Sequence, residues 1–168
     1  MDVRILTESD ANEFVRLRLE ALTREPLAFG RSPDEALPWP LPSVGARLHA
    51  VPEGNFAVGA FDAGRMVGQC GFVRHEGRKE RHKGFVWGVY VSPVARGRGA
   101  ARSMMNVIVE RARSYPDLEQ LSLSVAVPQE PARRLYRDLG FEVYGHERHA
   151  LKVGTTYVDE EHMVLWLR

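Results

Sequence analysis

The chain has 168 residues and a mass of 19.0 kDa, with 44% hydrophobic and 27% charged residues, as expected for one soluble globular domain. Its 23 basic and 22 acidic residues leave a formal net charge of +1, whereas proteins dedicated to nucleic acids or membrane surfaces usually carry a basic excess. The single cysteine, Cys70, excludes an intramolecular disulfide and a multi-thiolate metal site. We therefore expect one cytoplasmic domain, residues 1–168, with no metal, membrane or nucleic-acid partner.

The first elements of the chain are a strand and an amphipathic helix. The apolar run Val3–Leu6 is typical of a short strand. Thr7 and Asp10 resemble a capping box, and the apolar residues that follow recur every three or four positions, which predicts a helix to about Arg24.

A proline-rich segment follows this helix. Five prolines between residues 25 and 42 exclude a continuous helix or an interior strand there, and a second short helix is expected near Ser43–Ala50. The segment contains Phe29, Gly30 and Trp39. These residues either line a site or belong to a surface connection whose aromatic side chains pack onto the domain.

The rest of the chain predicts strands separated by two further helices. The strands are expected at residues 55–61, 65–74, 84–91, 121–127, 142–151 and 155–167. One helix follows the glycines at 97–99, and the other covers residues 130–139 and ends at Gly140. This order predicts an α/β domain with a mixed, mostly antiparallel central sheet of about seven strands flanked by helices.

The segment Val89–Arg102 has the pattern of an anion-binding site. An apolar strand runs through a proline turn and two glycines directly into a helix, whose first N–H groups are unpaired. Gly97 and Gly99 would let backbone N–H groups approach a phosphate, and Ala100 and Ala101 keep the approach open. Fixed positive charge comes from Arg96, Arg98 and Arg102. The alternative is a glycine-rich surface turn with solvated arginines.

This segment differs from two common phosphate-binding loops. It has no Gly-Lys-Ser/Thr, which disfavours nucleoside-triphosphate hydrolysis. The dinucleotide pattern Gly-x-Gly-x-x-Gly is incomplete, because Arg102 stands at its third glycine position.

Two blocks resemble the GCN5-related N-acetyltransferase (GNAT) superfamily. The first, Arg96-Gly97-Arg98-Gly99-Ala100-Ala101, is similar to the family's Arg/Gln-x-x-Gly-x-Gly/Ala pattern. The second, residues 132–141, is similar to its Ala-x-x-Leu-Tyr-x-x-x-Gly-Phe element. The order of elements also agrees, so the resemblance covers nearly the whole chain and implies the fold of an acyl-CoA N-acyltransferase.

The resemblance implies acetyl-CoA as the co-substrate. Its pyrophosphate would bind backbone N–H groups from Arg96 to Ala101, and its pantetheine would pair with the strand near Val89 and Val91. The fourth and fifth strands would splay apart to admit the thioester. Gln129 stands where the family often has an Asn that contacts the pantetheine. Arg133, Arg134 and Arg137 either reach the CoA 3′-phosphate or form a solvated helix face.

The resemblance assigns one catalytic side chain and leaves another role open. Tyr136 matches the family's general acid, although a tyrosine on an apolar helix face can equally fill the core. Residues 85–88 lack the carboxylate that often serves as general base in the fourth strand. Side chains that could act as the base by their chemistry alone are His75, Glu76, His82 and His162, and none is assigned.

The sequence therefore predicts an N-acetyltransferase that moves an acetyl group to an amine of a small molecule or a peptide N-terminus, by direct attack on the thioester. Similar proteins shape acceptor specificity in the proline-rich segment and in the last two strands, so the resemblance implies this role for Phe29, Gly30, Trp39, Tyr144 and Tyr157. The alternatives are a CoA-binding regulatory or catalytically degenerate relative without turnover and, against the charge balance, a nucleic-acid module. Dimers are common among similar proteins, and the C-terminal strand is one route to a homodimer.

Overall fold

The computed structural model describes residues 1–36 and 40–168, so Trp39 lies outside the described residues. The strands are β1 (Asp2–Ile5), β2 (Phe56–Asp62), β3 (Arg65–Arg74), β4 (Lys83–Val91), β5 (Gln120–Ala126), β6 (Glu142–Val153) and β7 (Thr156–Trp166). The helices are α1 (Ala11–Arg24), α2 (Pro33–Ala36), α3 (Leu41–Leu48), α4 (Ala100–Arg113) and α5 (Glu130–Asp138).

A seven-stranded sheet with the order β1-β2-β3-β4-β5-β7-β6 forms the centre of the domain. The β4–β5 pair is parallel and the other five neighbouring pairs are antiparallel. One core lies between the sheet and α4 and α5, and a second lies between the sheet and α1 and α3. The predicted mixed, mostly antiparallel sheet flanked by helices is therefore confirmed.

The N-terminal elements follow the predicted signals with one addition. The Thr7 N–H donates to Asp10 Oδ2 at 2.8 Å, which confirms the capping box, although a 3₁₀ turn precedes α1. The proline-rich segment contains the one-turn helix α2 in addition to α3. The extra turn begins at Pro33, where the missing N–H and the fixed φ of proline are compatible with a helix start.

A β-bulge bends β4 in its middle. Gln69 pairs with Tyr90 and Gly71 pairs with Trp87, so Gly88 and Val89 together face the single residue between Gln69 and Gly71 on β3. Gly88 has a φ of +65°, a conformation that favours glycine. Such a bulge leaves one residue without a ladder partner and turns the strand away from its neighbour.

The parallel pair opens before this bend is reached. Pairing between β4 and β5 covers only Lys83–Gln120, Gly84–Leu121 and Phe85–Ser122, while both strands continue further. The expected splaying of the fourth and fifth strands is therefore present. It leaves a gap through the sheet, with α4 and α5 on one side and α1 on the other. Within residues 1–36 and 40–168, no helix is both long enough and apolar enough to cross a membrane.

Candidate active site

Two cavities meet at the gap between β4 and β5. The α4 cavity, of about 460 Å³, lies between the start of α4, the end of β4 and α5. The α1 cavity, of about 450 Å³, lies between α1, residues 28–31, β4, β5 and β7. Their shared wall consists of Ala28, Phe29, Val89, Gln129, Ala132 and Tyr136. A molecule in either cavity would therefore reach the same opening in the sheet.

The glycine-rich turn forms the end of the α4 cavity at the start of α4. Gly97 and Gly99 line the cavity with φ values of +75° and +80°, and no atom lies within 4 Å of the position of an added Cβ. Gly99 is the N-cap of α4, and Ala100 and Ala101 line the cavity in the first turn. Unpaired N–H groups and the helix dipole make this end of the cavity suitable for an anion.

The arginines of this turn are all paired with acids from distant parts of the sequence. The ion pairs are Arg96–Glu25 at 2.7 Å, Arg98–Asp62 at 2.6 Å and Arg102–Asp138 at 2.8 Å. The sequence predicted unneutralised positive charge here because no acid lies between residues 96 and 102. The fold supplies the acids, and the Arg98 side chain does not line the cavity.

Other predicted cofactor-binding residues lie along the same cavity. Val89, Val91 and Gln129 all contribute to its wall. The Gln129 amide donates to Glu25 at 3.4 Å, and Glu25 also accepts from Arg96. Glu25 therefore links the end of α1 to both sides of the cavity, a role that no local pattern indicates because its partners lie more than 70 positions away.

Tyr136 lies where the two cavities meet. Its side chain is 5% exposed, and burial raises the pKa of its phenol above the ordinary value, so the hydroxyl stays protonated at neutral pH. Its ring packs against Phe141 with 6.0 Å between centroids. Within the described ranges, no protein group forms a hydrogen bond with the hydroxyl. The group can therefore act as a donor toward a molecule in the gap.

The α1 cavity contains a carboxylate that the sequence analysis missed. Glu160 of β7 lines it and, among the lining residues that the structure describes, is the only acid. Burial raises the pKa of this carboxyl, and Glu147 raises it further, while His162 lowers it. Strand alternation could have located it, because Met163 of β7 is fully buried beside α4 and α5, which places Glu160 on the opposite face of the sheet.

A chain of hydrogen bonds leads from the α1 cavity to the surface. Ser124 of β5 lines the cavity, and its Oγ lies 2.8 Å from His162 Nδ1. His162 Nε2 lies 2.9 Å from the exposed carboxylate of Glu147. Of the four residues considered for the base, only His162 is thus connected to a cavity wall; His75, Glu76 and His82 line neither cavity.

The residues expected to shape acceptor specificity separate into two groups. Phe29 and Gly30 line the α1 cavity, as expected. Tyr144 and Tyr157 are exposed and line neither cavity, because β6 and β7 turn them outward, where their rings contact His162 and His149 respectively.

The arginines of α5 act mainly within the protein. Arg133 forms two hydrogen bonds with Glu161 of β7, one of them at 2.9 Å, and Arg137 contacts the same carboxylate at 3.3 Å. These contacts lower the pKa of Glu161 and hold α5 against β7. Arg134 is exposed on the same helix.

Neither a metal site nor an activated cysteine is present in the part of the chain that the structure describes. Residues 1–36 and 40–168 contain no cluster of three or more His, Cys, Asp and Glu side chains able to hold a metal ion. Cys70 is fully buried, and burial raises the pKa of its thiol, so it is not an activated thiolate.

A sheet opened between its parallel strands, with a glycine-rich helix start on one side of the opening, defines the acyl-CoA N-acyltransferase class that the sequence blocks resemble. The acetyltransferase (GNAT) family model matches residues 18–141. The chain belongs to this family and is an acyl-CoA-dependent acetyltransferase.

Curated relatives agree with this assignment, and solved structures share the fold. N-alpha-acetyltransferase RimI of Mycobacterium tuberculosis is 32% identical over 116 residues, 69% of each chain. L-amino acid N-acetyltransferase AaaT of Escherichia coli is 31% identical over 78 residues, 46% of this chain and 48% of that protein. The fold matches a GNAT-family acetyltransferase from Streptococcus pneumoniae with a TM-score of 0.84 at 19% identity over 98% of both chains. It also matches yncA from Salmonella typhimurium, solved with its cofactor acetyl-CoA, with a TM-score of 0.82 at 19% identity over 100% and 94% of the two chains.

Proposed function

We propose that this acetyltransferase transfers the acetyl group of acetyl-CoA directly to the amine of a small molecule or a peptide N-terminus, with the two substrates entering the gap between β4 and β5 from opposite sides. The observation that carries this proposal is the common wall of the α4 and α1 cavities at Val89, Gln129 and Tyr136. The names of the two curated relatives, an N-alpha-acetyltransferase and an L-amino acid N-acetyltransferase, are consistent with either acceptor.

The lining of the α4 cavity supports acetyl-CoA binding through its backbone chemistry. The first-turn N–H groups of α4 and the backbone from Arg96 to Ala101 would hold the pyrophosphate. Beyond Phe85, β4 has no pairing with β5, so backbone groups near Val89 and Val91 can pair with the pantetheine amides. When bound, the cofactor supplies an acetyl group activated as a thioester.

Glu160 is the general base in this proposal. An amine with a pKa near ~10 is almost entirely protonated at pH 7, which costs roughly 4 kcal/mol of reactivity. Glu160 lies in the α1 cavity, on the side from which the amine would enter. The raised pKa of its carboxyl makes it a better proton acceptor than an exposed glutamate.

The hydrogen-bonded chain of Ser124, His162 and Glu147 gives the proton a route outward. It begins at the wall of the α1 cavity and ends at an exposed carboxylate. His162 also interacts electrostatically with Glu160, so a proton held by Glu160 lies close to this route.

Tyr136 is the general acid. Its hydroxyl is protonated, buried and without a protein partner in the described ranges. It can therefore donate its proton to the CoA sulfur when the bond between that sulfur and the acetyl group breaks. Cys70 cannot serve as a nucleophile in place of direct attack, because its buried thiol stays neutral.

Release of CoA in the presence of a panel of amines tests the proposal, and Tyr136→Phe tests the acid. We expect this variant to bind acetyl-CoA normally and to have a kcat lower by about 100-fold, the contribution typical of an acid catalyst. Tyr157→Phe, the same change at an exposed tyrosine that lines neither cavity, should leave turnover unchanged. Saturable acetyl-CoA binding without turnover on any amine would favour the alternative, a CoA-binding protein without activity.

We also propose a cytoplasmic location and a homodimer. The cytoplasmic location is supported by the average composition of the chain and by its single cysteine. A homodimer formed through the C-terminal strands is supported by the position of β6 at the edge of the sheet and by the exposed apolar residues Val143 and Tyr144 on it.

A further inference from the structure

A buried arginine in the wall of the α1 cavity has no assigned role. Arg18 of α1 is 8% exposed and lines this cavity, but it does not line the α4 cavity. Its Nη1 atom has no hydrogen-bond partner within residues 1–36 and 40–168. An added Cβ at Gly88 would lie 3.4 Å from this atom, so the guanidinium lies against the bulge of β4, one residue before Val89 in the shared wall.

The surroundings of Arg18 add positive charge or apolar surface. Its guanidinium lies over the ring of Phe29, 4.9 Å from the centroid. Burial lowers the pKa of Arg18 to about 10, and the positive charge of Arg31 is the second cause. Arg31 also lines the cavity. Neither group neutralises a cation, and a buried charge without an anionic partner is unfavourable.

Other arginines of the described chain show how the fold usually satisfies this group. The half-buried Arg133 binds the carboxylate of Glu161 through two hydrogen bonds. The buried Arg74 also has an Nη2 atom without a partner, but its Nε and Nη1 atoms donate to the carbonyl oxygens of Arg81 and Glu53. Arg18 differs from both, since within the described ranges its guanidinium has no hydrogen bond to a protein acceptor and lines a cavity instead.

We propose that Arg18 binds the carboxylate of the acceptor, so that the acceptor is a small amine carrying a carboxylate, of the α-amino acid class. This inference rests on the proposed function, because it assigns the acceptor side of the same gap. It selects the free amino acid over a peptide N-terminus, in which the corresponding group is a neutral amide.

The position of Arg18 agrees with the short span of an α-amino acid. Its Nη1 lies beside the β4 bulge, next to the wall that the two cavities share, so a carboxylate bound there lies close to the gap. The amine of an α-amino acid is attached to the carbon that carries the carboxylate. The cavity wall also contains Phe85, Trp87 and Leu151, which favour an apolar side chain on the acceptor.

The test compares L-phenylalanine with L-phenylalaninamide as acceptors for the wild type, Arg18→Met and Arg18→Lys. Arg24→Met is the matched control, because Arg24 is an exposed residue of the same helix that lines neither cavity. We expect Arg18→Met to lower the acid-to-amide ratio of kcat/KM by about 100-fold, mainly through KM. Because this ratio is compared between variants, the difference in basicity between the two amines cancels. Arg18→Lys should keep part of the preference for the acid over the amide.

2-Phenyl-1-aminoethylphosphonate, tested as a third acceptor, separates selection of a carboxylate from binding of any anion.

A second measurement does not depend on turnover. Calorimetric titration of the CoA-loaded protein with N-acetyl-L-phenylalanine should show binding that Arg18→Met removes and Arg24→Met retains. Thermal unfolding would show whether the variants are folded.

The outcomes separate this inference from the proposed function. Turnover with an unchanged acid-to-amide ratio in Arg18→Met, or a preference for the phosphonate, would overturn the carboxylate assignment and leave the proposed function standing. Arg18-dependent binding of N-acetyl-L-phenylalanine without turnover on any amine would support the assignment and contradict the proposed function. Absence of both binding and turnover would overturn both.

Discussion

Three successive carboxylates on β7 show how strongly the environment of one residue determines its chemistry. Asp159 accepts hydrogen bonds from the His149 backbone and the His146 ring, and Glu161 binds Arg133, so both have lowered pKa values. Glu160 lies between them on the opposite face of the strand, and burial raises its pKa. Only Glu160 is adapted to accept a proton near neutral pH.

The pH profile of the reaction tests the role of Glu160. The base acts when it is deprotonated, so kcat/KM of the wild type should rise with pH through a value above that of an ordinary glutamate. Glu160→Gln should lower kcat by about 100-fold near pH 7. It should also remove this rise, so that activity recovers only at alkaline pH, where the amine loses its proton unaided.

Ser124→Ala is the comparison for this prediction. If Ser124→Ala removes the rise in activity with pH and Glu160→Gln keeps it, the base is the chain through His162 instead of Glu160.

The site residues differ in how far the sequence could locate them. Tyr136 and the glycine turn lie in continuous blocks whose spacing is informative, and the structure places both beside one cavity. Arg18, Glu25 and Glu160 come from α1, its C-cap and β7, distant segments that meet only in the folded sheet. The alternation of β7 places Glu160 on one face of its strand, but the burial and the pairing on which the proposed roles of these three side chains depend arise only in the tertiary structure.

At the scale of elements, local periodicity is sufficient to predict the strands and the long helices. For most strands the observed boundaries differ from the predicted ones by one or two residues. The helix α2 is not predicted, because a single turn is too short to show a period. The bulge of β4 and the early end of its pairing with β5 were not readable from the strand itself. The splaying was expected only through the resemblance, since it depends on which strands are neighbours in the sheet.

The start of α4 is the element on which acetyl-CoA binding depends most. Gly99→Glu would place a carboxylate at the N-terminus of the helix, where the cofactor phosphates would bind, and we expect affinity for acetyl-CoA to fall by about 100-fold. The backbone φ of +80° adds a strain of about 1–2 kcal/mol for any side chain there. Gly99→Ala carries the same strain without the charge, so it should bind far better than Gly99→Glu in a calorimetric titration. Equal affinities in the two variants would show that the phosphate site lies elsewhere.

At the scale of the whole molecule, the sheet separates two chemical environments. The side with α4 and α5 presents backbone donors for an anionic cofactor, and the side with α1 presents Arg18 and Glu160 to an acceptor. The gap between β4 and β5 is where the two sides meet. Near-neutral net charge is consistent with this arrangement, because the charged groups of the glycine turn are paired with acids and the proposed partners are small molecules.

Direct attack across the gap is tested by initial rates measured against both substrates, combined with mass spectrometry of the protein after exposure to acetyl-CoA alone. Ser124 lies in the α1 cavity wall with its Oγ hydrogen-bonded to the His162 ring, so it is a hydroxyl that a neighbouring base could activate to carry the acetyl group covalently instead. We predict intersecting double-reciprocal plots and an unmodified protein, because both substrates must be bound together. Parallel plots with an acetyl group on Ser124 would contradict direct transfer.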